Sequence, residues 1–528
     1  MGRRVFISVL GTGNYQECIY QSSDKAVSVQ TCFAQEAALR YVDAPNWDPA
    51  DQVFILLTED ARQRNWDKLS QCLGSLGLHC PVKDIPIVDG KDEKEVWAIF
   101  KTIYDLIEDG DNLYFDVTHA LRYLPMLVLV MGSYTFFLKN TTVNKIVYGN
   151  WEMRDKESNA APLMDLTILN ELQRWSFAVG SYVRNGSTTD LMDLSVKQIN
   201  DIRKNREDDR NDASALKSFI SDFNTIIEDR RTCRGPEIYN GDHVMSVKSQ
   251  VDSLKGELLP AFSPLIDRIG SSLDAYRSNE LMNNYESARW CFDSGLYIEA
   301  ETTLVEGVTT RLHLDLSIDW LNHDLRTDVN RAIQRYVGND DDKKKDDSPF
   351  VKELADQIEK LNYPELKSAF SGATQFRNDL NHGGWRGNNG DQALASKKIR
   401  KKVDALINDL RPFFERPLKA GKPSLFANYS GLSIRDMDQD SIRRILDAGF
   451  YVEFSLPKKS DENALNRNVK SQLEKIQRLN LGISPEDTLV YFGECDEIKL
   501  YFKEILKQQG YRVTETLPEK NLSSPEKD

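Results

Sequence analysis

Residues 5–10 (VFISVL), followed at once by Gly11-Thr12-Gly13-Asn14, decide the fold of the first part of this chain. A short apolar run that is rich in β-branched residues and ends in a glycine turn is typical of a buried strand. Residues 53–57 (VFILL) and 112–117 (NLYFDV) have the same character, and helical patterns separate the runs. Strands that alternate with helices predict a doubly wound parallel α/β sheet with right-handed crossovers.

The first three predicted strands end in small, hydroxyl-bearing or charged residues, and residues 143–148 predict a fourth strand. In an open α/β sheet, ligands bind beyond the carboxyl ends of the strands. Gly11 and Gly13 let the backbone approach a ligand closely, and Arg122 lies at the start of a helix, where anions are favoured. The available hydroxyl groups belong to Thr12, Thr58 and Thr118. The alternative is that these are ordinary strand-end turns in which His119 caps a helix.

Length and composition limit what the protein can be. A chain of 528 residues is too long for one hydrophobic core, so about three domains are expected. Its 40% apolar and 28% charged residues are typical of a globular protein. Because the net charge of −14 repels nucleic acid on average, any RNA contact has to come from a local basic patch. None of the seven cysteines forms a CxxC pair, which disfavours a zinc site or disulfide framework and favours a reducing cytosol.

The sequence predicts a cytoplasmic protein without membrane contact. The amino-terminal residues lack the apolar core of a signal peptide. The longest apolar stretch, residues 124–138, is shorter than a bilayer requires and predicts a buried helix instead.

Three segments of the predicted sheet resemble signature segments of CARF domains, the nucleotide-sensing domains of type III CRISPR effectors. The first is Gly11-Thr12-Gly13-Asn14-Tyr15, and another is residues 116–122 (DVTHALR). Residues 56–61 (LLTEDA), with Asn65-Trp66 after them, are similar to the family's second-strand segment. The chain has Ala120 where the family usually has glycine, a departure that would tighten the pocket.

The resemblance implies a Rossmann-like CARF domain over residues 1–165 that binds a cyclic oligoadenylate across the two-fold axis of a dimer. A two-fold dimer presents identical patches across its axis, which suits a symmetric ring. Phosphates would bind backbone N–H groups and Arg122, and adenines would contact Asn14 or Thr58. Cyclic tetra-adenylate is the expected activator, although the residues do not determine the ring size. The implied ligand-binding residues are Gly11, Thr12, Gly13, Asn14, Thr58, Glu59, Thr118, His119, Ala120 and Arg122.

Helical patterns dominate the middle of the chain, first as a helical connector over residues 166–280. Within it, the basic loop 230–236 (RRTCRGP) either contacts RNA or forms a structural turn. Residues 281–314 then predict helix–turn–helix, broken at Gly295, and Pro364 can start another helix. The last helix, residues 396–414, has an apolar stripe and a basic beginning. An all-α domain is expected over residues 281–418.

The helix that starts near Pro364 delivers the segment Arg377-Asn378-Asp379-Leu380-Asn381-His382. A guanidinium can hold a phosphate through two parallel hydrogen bonds, and an imidazole can move a proton at neutral pH. Positions five apart lie about 140° apart around a helix, so a helix end or a second subunit has to bring Arg377 and His382 together. The alternative is that His382 caps the helix and Arg377 makes a surface salt bridge.

This helical arrangement with its RNxxxH motif resembles a HEPN domain, a nuclease domain that pairs two Arg/His motifs in one composite cleft. CARF followed by HEPN is the layout of the type III CRISPR accessory ribonucleases. The resemblance implies a metal-independent endoribonuclease that is activated by a cyclic oligoadenylate, needs no cofactor and cuts single-stranded RNA. The protein would act as a homodimer or a higher even-numbered oligomer.

In such a nuclease, Arg377 would hold the scissile phosphate and the 2′-hydroxyl of the RNA would be the nucleophile. His382 would orient or protonate the reacting oxygens, and Asn378 would position the phosphate or the histidine. A local positive field for RNA is offered by Trp385, Arg386, Lys397, Lys398 and Lys401. Two other functions stay open. One is a ligand-gated binding protein with a silent HEPN domain, and the other is a nucleotide-processing enzyme that uses one of the α/β domains, such as a ring nuclease.

After the linker-like residues 417–423, strand and helix patterns alternate again. They predict a small α/β domain over residues 424–516, with a disordered tail over residues 517–528. Residues 493–496 (GECD) lie between a strand and a helix, where a ligand could bind. This segment is faintly similar to small CRISPR proteins that degrade cyclic oligoadenylate, which would make the domain an off-switch. An interaction or dimer-stabilising module is an equal alternative.

Overall fold

The structure, a computed structural model, describes residues 2–119, 123–205, 210–251, 254, 263–338, 348–370, 373–381, 383, 394–419, 424–454, 462–479 and 483–518. The contacts divide the chain into two compact units, residues 1–180 and 181–528. The boundary predicted at residue 165 lies inside the first unit. Most of the predicted connector, the helical domain and the small α/β domain together make up the second.

The first unit contains a mostly parallel sheet, as the sequence predicts. Its strands are β1 (Arg4–Leu10), β2 (Cys18–Ser22), β3 (Ser28–Thr31), β4 (Gln52–Leu57), β5 (Val82–Pro86), β6 (Asn112–Asp116), β7 (Thr142–Gly149) and β8 (Ala160–Asp165). They form one sheet in the order β3-β2-β8-β7-β6-β1-β4-β5. Strand β1 pairs in parallel with β4 and β6, so the carboxyl ends of these three strands meet at one edge. The antiparallel pairs are β2 with β3 and β7 with β8.

Helices cover both faces of this sheet. They are α1 (Ala34–Tyr41), α2 (Glu59–Ala61), α3 (Asp67–Gly74), α4 (Glu93–Leu106), α5 (Leu124–Lys139) and α6 (Thr167–Asn185), which runs into the second unit. Alternate residues of β1 enter two different apolar clusters: Phe6 packs with α1 and α3, while Ile7 packs with α4 and α5. A strand that is buried on both faces needs an uninterrupted apolar run, which is why β1 and β4 are recognisable in the sequence.

Four strands of the sheet were not predicted, namely β2, β3, β5 and β8. Strand β5 (VKDIP) is mostly half-exposed and carries charged residues, and β8 (AAPLMD) contains a proline and two exposed positions at its end. Strands β2 and β3 form a polar hairpin next to the sheet edge. These strands lie toward the margins of the sheet, where only one side is buried, so the apolar pattern is weak.

Helix α5 corresponds to the apolar stretch at residues 124–138, but the prediction that it is buried was wrong for its outer face. Its inner side, including Val128 and Met131, packs on the sheet. The other side, which we call the α5 outer face, leaves five apolar side chains between 45% and 63% exposed, namely Met126, Val130, Tyr134, Phe137 and Leu138.

The second unit begins with a set of helices. They are α7 (Thr189–Asn205), α8 (Arg210–Arg231), α9 (Gly235–Asn240), α10 (Asp242–Val251), α11 (Ser263–Ser272), α12 (Met282–Asp293), α13 (Tyr297–Leu316), α14 (His323–Val337), α15 (Pro349–Leu361), α16 (Ala373–Asn381) and α17 (Ser396–Glu415). Gly295 has φ +79° between α12 and α13, so the predicted break has the left-handed backbone that favours glycine. The helix predicted from Pro364 corresponds to a π-helical turn, Leu366–Phe370, and to α16, and residues 371–372 lie outside the described residues.

A small parallel sheet follows the helices. It contains β9 (Leu425–Asn428), β10 (Phe450–Glu453), β11 (Thr488–Tyr491) and β12 (Arg512–Thr514), in the order β10-β9-β11-β12. Its helices are α18 (Gln439–Ala448), α19 (Glu462–Arg478) and α20 (Glu497–Gln508). The predicted strands and helices of this region are confirmed. Its buried Phe426 and Tyr451 belong to the same apolar cluster as Leu304 and Val329 of the helices, so the two parts share one core.

The predicted tail begins with two residues that have partners. Arg444 donates to the carbonyl oxygens of Pro518 (2.6 Å) and Leu517 (3.1 Å). The rest of the predicted disordered tail lies outside the described residues. Across the described part of the chain, no helix is both long enough and apolar enough to cross a membrane.

Candidate functional site

The loop after β1 is held in place by two side chains from neighbouring segments. The amide of Asn65 donates to the carbonyl oxygens of Gly11 and Gly13, both at 3.0 Å. The Tyr15 hydroxyl accepts a hydrogen bond of 2.9 Å from the Gly11 N–H. A Cβ atom at Gly11 would lie 2.9 Å from that hydroxyl oxygen, so a larger residue here would have to displace Tyr15. Thr12, Gly13 and Asn14 are left exposed at the tip of the loop.

The loop after β6 is organised by Asp116, which is buried. Its carboxylate accepts hydrogen bonds from the Ser8 hydroxyl (2.7 Å), the Thr118 N–H (3.0 Å) and the Thr118 hydroxyl (2.6 Å). The Thr118 hydroxyl also accepts from the Gly149 N–H at 2.8 Å. Thr118 therefore has no hydroxyl proton left for a ligand, and its main role is to join β6 to the end of β7.

His119 connects this loop to the first one. Its ring lies against Tyr15, with 4.3 Å between the ring centroids. Burial lowers the pKa of His119, although the negative charge of Asp116 acts in the opposite direction. The imidazole is therefore neutral at pH 7. Its Nε2 atom is buried and has no hydrogen-bond partner within the described residues. A neutral imidazole can offer a ligand either a hydrogen-bond donor or an acceptor.

The other predicted ligand-binding residues differ in what they can still contact. The Thr58 hydroxyl caps α2 by accepting from the Ala61 N–H at 3.3 Å. Glu59 is exposed beside it and accepts from Gln63. Ala120 and Arg122 lie outside the described residues. Arg64, which was not predicted, donates to the Thr12 carbonyl oxygen at 3.5 Å and is a further cation at this edge.

Sequence reasoning missed the residues that hold the loops rather than those at their tips. Tyr15 and Asn65 lie in the segments that resemble CARF signatures, but no role was predicted for them. Asp116 opened the quoted DVTHALR segment and was equally passed over. The only available signal was that a tyrosine, an amide and a carboxylate each stood next to a predicted glycine or threonine turn.

In the second unit, Arg377 lies on α16 with a partner on α13. Its guanidinium donates to the Glu306 carboxylate at 3.3 Å, and its side chain remains 23% exposed. The same carboxylate accepts from Arg326 of α14. Arg377 therefore makes the salt bridge that the alternative interpretation predicted, but it keeps an accessible portion that can meet a phosphate.

Glu301 is a buried carboxyl group close to Arg377. It lies on α13, one turn and a half before Glu306, and is fully buried. Burial, with a smaller contribution from Glu306, raises the pKa of Glu301 to about 8 against the opposing effect of Arg377 and Lys402. Neither of its carboxyl oxygens has a hydrogen-bond partner in the described part of the chain. At neutral pH the group is therefore mainly protonated.

The end of α16 borders an open cleft of about 570 Å³. Its walls are the start of α13, from Leu296 to Glu299, and Asp379, Leu380 and Gly383 at the end of the motif. Asp379 is buried and accepts from the Leu394 N–H at 3.0 Å. The side chain of Asn378 and the whole of His382 lie outside what the structure describes, so the predicted Arg377–His382 pairing stays a prediction.

The predicted RNA-binding lysines Lys397, Lys398 and Lys401 are all exposed on the first turns of α17. Trp385 and Arg386 lie outside the described residues. The basic loop predicted at residues 230–236 begins inside α8, and Arg230 lies on the last turn of that helix. Arg230 is buried, with its guanidinium 4.7 and 4.9 Å from the ring centroids of Tyr276 and Trp290. Arg230 therefore has a structural position and is not available to RNA.

The GECD segment at residues 493–496 is held by local hydrogen bonds. Lys499 donates to the carbonyl oxygens of Ser430 (2.8 Å) and Glu494 (2.7 Å), and Asp496 caps α20 by accepting from the Lys499 N–H. Burial raises the pKa of the Cys495 thiol, so it is not an activated nucleophile. Within the described residues, no group of three or more His, Cys, Asp or Glu side chains is placed to hold a metal ion.

Comparison with known proteins places the chain in a broad class. No family model matches it. It is similar to the CRISPR-associated protein MJ1674 of Methanocaldococcus jannaschii, with 21% identity over 228 residues. The match covers 42% of this chain and 33% of that protein, so the chain spans about a third of the length of this curated relative. This similarity supports a CRISPR-associated protein.

Proposed function

We propose that the protein is a cyclic-oligoadenylate-activated, metal-independent endoribonuclease of CRISPR defence. The observation that carries the proposal is the setting of Arg377. Its guanidinium is oriented by Glu306 but partly exposed, two residues before the wall of an open cleft. A row of exposed lysines on α17 supplies positive charge in the same unit. The type of reaction is inferred from the resemblance of the RNxxxH segment to HEPN nucleases.

In the proposed reaction, the 2′-hydroxyl of the RNA attacks the neighbouring phosphorus and the 5′-oxygen of the next nucleotide leaves. Arg377 binds the scissile phosphate and stabilises the charge that builds up on its oxygens. His382 moves the proton between the attacking and leaving oxygens, and Asn378 orients the phosphate or the imidazole. The reaction is a transfer within the RNA itself, so neither water nor a metal ion has to supply the nucleophile.

The activator binds at the carboxyl edge of the first sheet. Exposed backbone at Thr12, Gly13 and Asn14 and the guanidinium of Arg64 bind its phosphates, with Arg122 as the expected second cation. The neutral imidazole of His119 contacts a base or a ribose hydroxyl. Because the rings of His119 and Tyr15 are in contact, a ligand that moves one loop also moves the other. Ligand binding can shift the protein between two states only through its preference for one of them.

The proposed homodimer is supported by the α5 outer face. Contiguous exposed apolar surface on a protein marks an interaction site. The outer face extends onto α6, because the rings of Phe137 and Phe177 are 5.6 Å apart and Ile168 and Leu172 are exposed on the same helix. Residues 124–138 contain no charged side chain. An identical copy can therefore pack on this face without placing like charges opposite each other.

The proposal is tested by incubating the purified protein with labelled single-stranded RNA, with and without a panel of cyclic oligoadenylates. We expect cleavage only with one of the rings, and unchanged cleavage in EDTA. Arg377→Ala should abolish cleavage and keep ring binding, which calorimetry measures separately. Activity that EDTA removes and magnesium restores would refute the metal-independent chemistry. Wild-type cleavage by Arg377→Ala would refute the assigned site, and disappearance of the ring itself would favour the nucleotide-processing alternative.

A further inference from the structure

The small C-terminal sheet continues into the helices of the second unit. Ile318, in the segment directly after α13, forms a parallel β-bridge with Tyr451 of β10. The Tyr451 N–H donates to the Ser317 carbonyl oxygen, and the Asp319 N–H donates to the Tyr451 carbonyl oxygen, both at 2.8 Å. Residues 424–518 (the C-terminal module) are therefore joined to the end of α13 by backbone hydrogen bonds.

Three ion pairs reinforce this connection. Each places a buried carboxylate of the helices against a cation of the C-terminal module. The pairs are Asp319 with Lys475 (2.7 Å), Asp328 with Arg435 (2.7 Å) and Glu353 with Arg443 (2.8 Å). A buried carboxylate is strongly destabilising without a partner, so each of these pairs stabilises the junction.

A hydrogen-bond path leads from this junction to α13 and α14. Trp320, two residues after the bridge at Ile318, accepts a 3.0 Å hydrogen bond from Arg326 through its carbonyl oxygen. Arg326 also donates to the Thr310 hydroxyl at 3.0 Å and to the Glu306 carbonyl oxygen at 3.1 Å. One guanidinium thus ties the chain beside β10 to the middle of α13.

The same path ends at Arg377. Arg326 and Arg377 bind different oxygens of the Glu306 carboxylate, Oε2 and Oε1. The rotamer of Glu306 is therefore set by Arg326, and the guanidinium of Arg377 is set by Glu306. Arg326 itself is bound through Trp320 to a segment whose backbone belongs to the C-terminal sheet.

We infer that the C-terminal module positions Arg377 for RNA cleavage, with Arg326 and Glu306 as the positioning residues that connect them. The inference rests on the proposed nuclease function. It gives residues 424–518 a role in the nuclease unit itself, in place of an independent off-switch. The module acts through backbone pairing at Tyr451 and through one shared carboxylate, and its own GECD loop takes no part.

The test compares Arg326→Gln with the control Arg443→Gln. Both remove one cation, but Arg443 binds Glu353 on α15, away from the path to Arg377. We expect Arg326→Gln to lower kcat for RNA roughly 10²-fold with little change in KM, because a small displacement of a catalytic group has an effect of that order. Arg326→Lys should restore part of the rate. Arg443→Gln should keep the wild-type kcat and lower only Tm.

A second variant keeps the test valid if Arg326→Gln does not fold. Asp319→Asn combined with Lys475→Met removes an ion pair at the junction without leaving a buried charge unpaired. Hydrogen exchange of the α16 amides, residues 373–381, should become faster in this variant and in Arg326→Gln, and should stay unchanged in Arg443→Gln.

The outcomes separate the inference from the proposed function. Wild-type kcat and wild-type exchange in both path variants, with Arg377→Ala inactive, would overturn the positioning role and leave the nuclease intact. Wild-type cleavage by Arg377→Ala would refute the proposed function instead. The exchange of α16 would then still report whether the module holds that helix.

Discussion

Glu301 shows how one buried side chain makes the second unit sensitive to pH. It is fully enclosed on α13 near Arg377, and burial raises its pKa to about 8. An unfolded chain releases this proton near the ordinary glutamate pKa of about 4.3. The folded state retains the proton to about pH 8, so its contribution to stability is complete at low pH and is lost as pH rises toward 8.

We expect Glu301→Gln to remove this pH dependence, because glutamine resembles the protonated acid. Between pH 5 and 8, the wild-type free energy of unfolding should fall by up to ~1.4 kcal/mol per pH unit from this group, and the variant should lack that component. Urea denaturation across this pH range measures the difference. Glu359→Gln, on an exposed part of α15, serves as the control and should keep the wild-type slope. A Glu301→Gln protein that is less stable than the wild type at pH 8 would instead indicate that the Glu301 carboxyl group is ionised and paired in the folded protein.

Helix α5 links the sheet to the proposed dimer at the scale of one element. Its inner side packs on the sheet. Its outer face leaves five apolar side chains exposed, even though Tyr134 contacts the rings of Phe100 and Tyr104, and Phe137 contacts that of Phe177. The helix starts five residues after His119, at the edge where the ring is proposed to bind. Pairing two copies along α5 therefore places two such edges near one axis, as a symmetric ligand requires.

We expect Val130→Asp to weaken self-association at least ~10-fold, because it places an unpaired charge in the apolar contact. Val88→Asp is the matched control, since Val88 is also exposed in the first unit but lies outside the α5 outer face. Sedimentation velocity over a range of concentrations measures both variants. An unchanged dimer in Val130→Asp would assign the dimer contact to another surface.

At the scale of the whole molecule, the helices and the C-terminal module of the second unit behave as one folding unit. They share an apolar core that includes Leu304, Val329, Phe426 and Tyr451. The β-bridge between Ile318 and Tyr451 and the three ion pairs lie at their junction. A chain without the module would expose this core and three carboxylates that are otherwise buried.

We therefore expect truncation after residue 419 to lower the Tm of the second unit by roughly 10 °C or more, or to cause aggregation. Each kcal/mol lost corresponds to about 2–4 °C in a unit of this size. Removing only residues 519–528 is the control and should leave Tm unchanged. Differential scanning calorimetry and size-exclusion chromatography follow both proteins. A truncated chain with wild-type Tm would show that the helices fold independently.

Periodicity was sufficient to predict the elements that are buried on both faces or have a strong apolar stripe. The central strands β1, β4 and β6 and the helices α12, α13 and α17 belong to this class. The half-buried marginal strands β2, β3, β5 and β8 were missed, because their side chains face water on one side and carry no continuous apolar signal. For the candidate sites, the residues at the loop tips were predictable from turn chemistry. The partners Asn65, Tyr15 and Glu306 were not.

The amino-acid sequence by itself determined the parallel α/β sheet, the helical middle, the second small sheet and the segments that resemble CARF and HEPN signatures. Local spacing is enough for these, because each depends on residues a few positions apart. Only the tertiary structure decided that Arg377 shares Glu306 with Arg326, that the Thr118 hydroxyl accepts a hydrogen bond from the Gly149 N–H, and that Ile318 pairs with Tyr451 of the C-terminal sheet. These contacts join residues that are far apart in the chain. A local sequence pattern cannot predict which distant residue a buried polar group will contact.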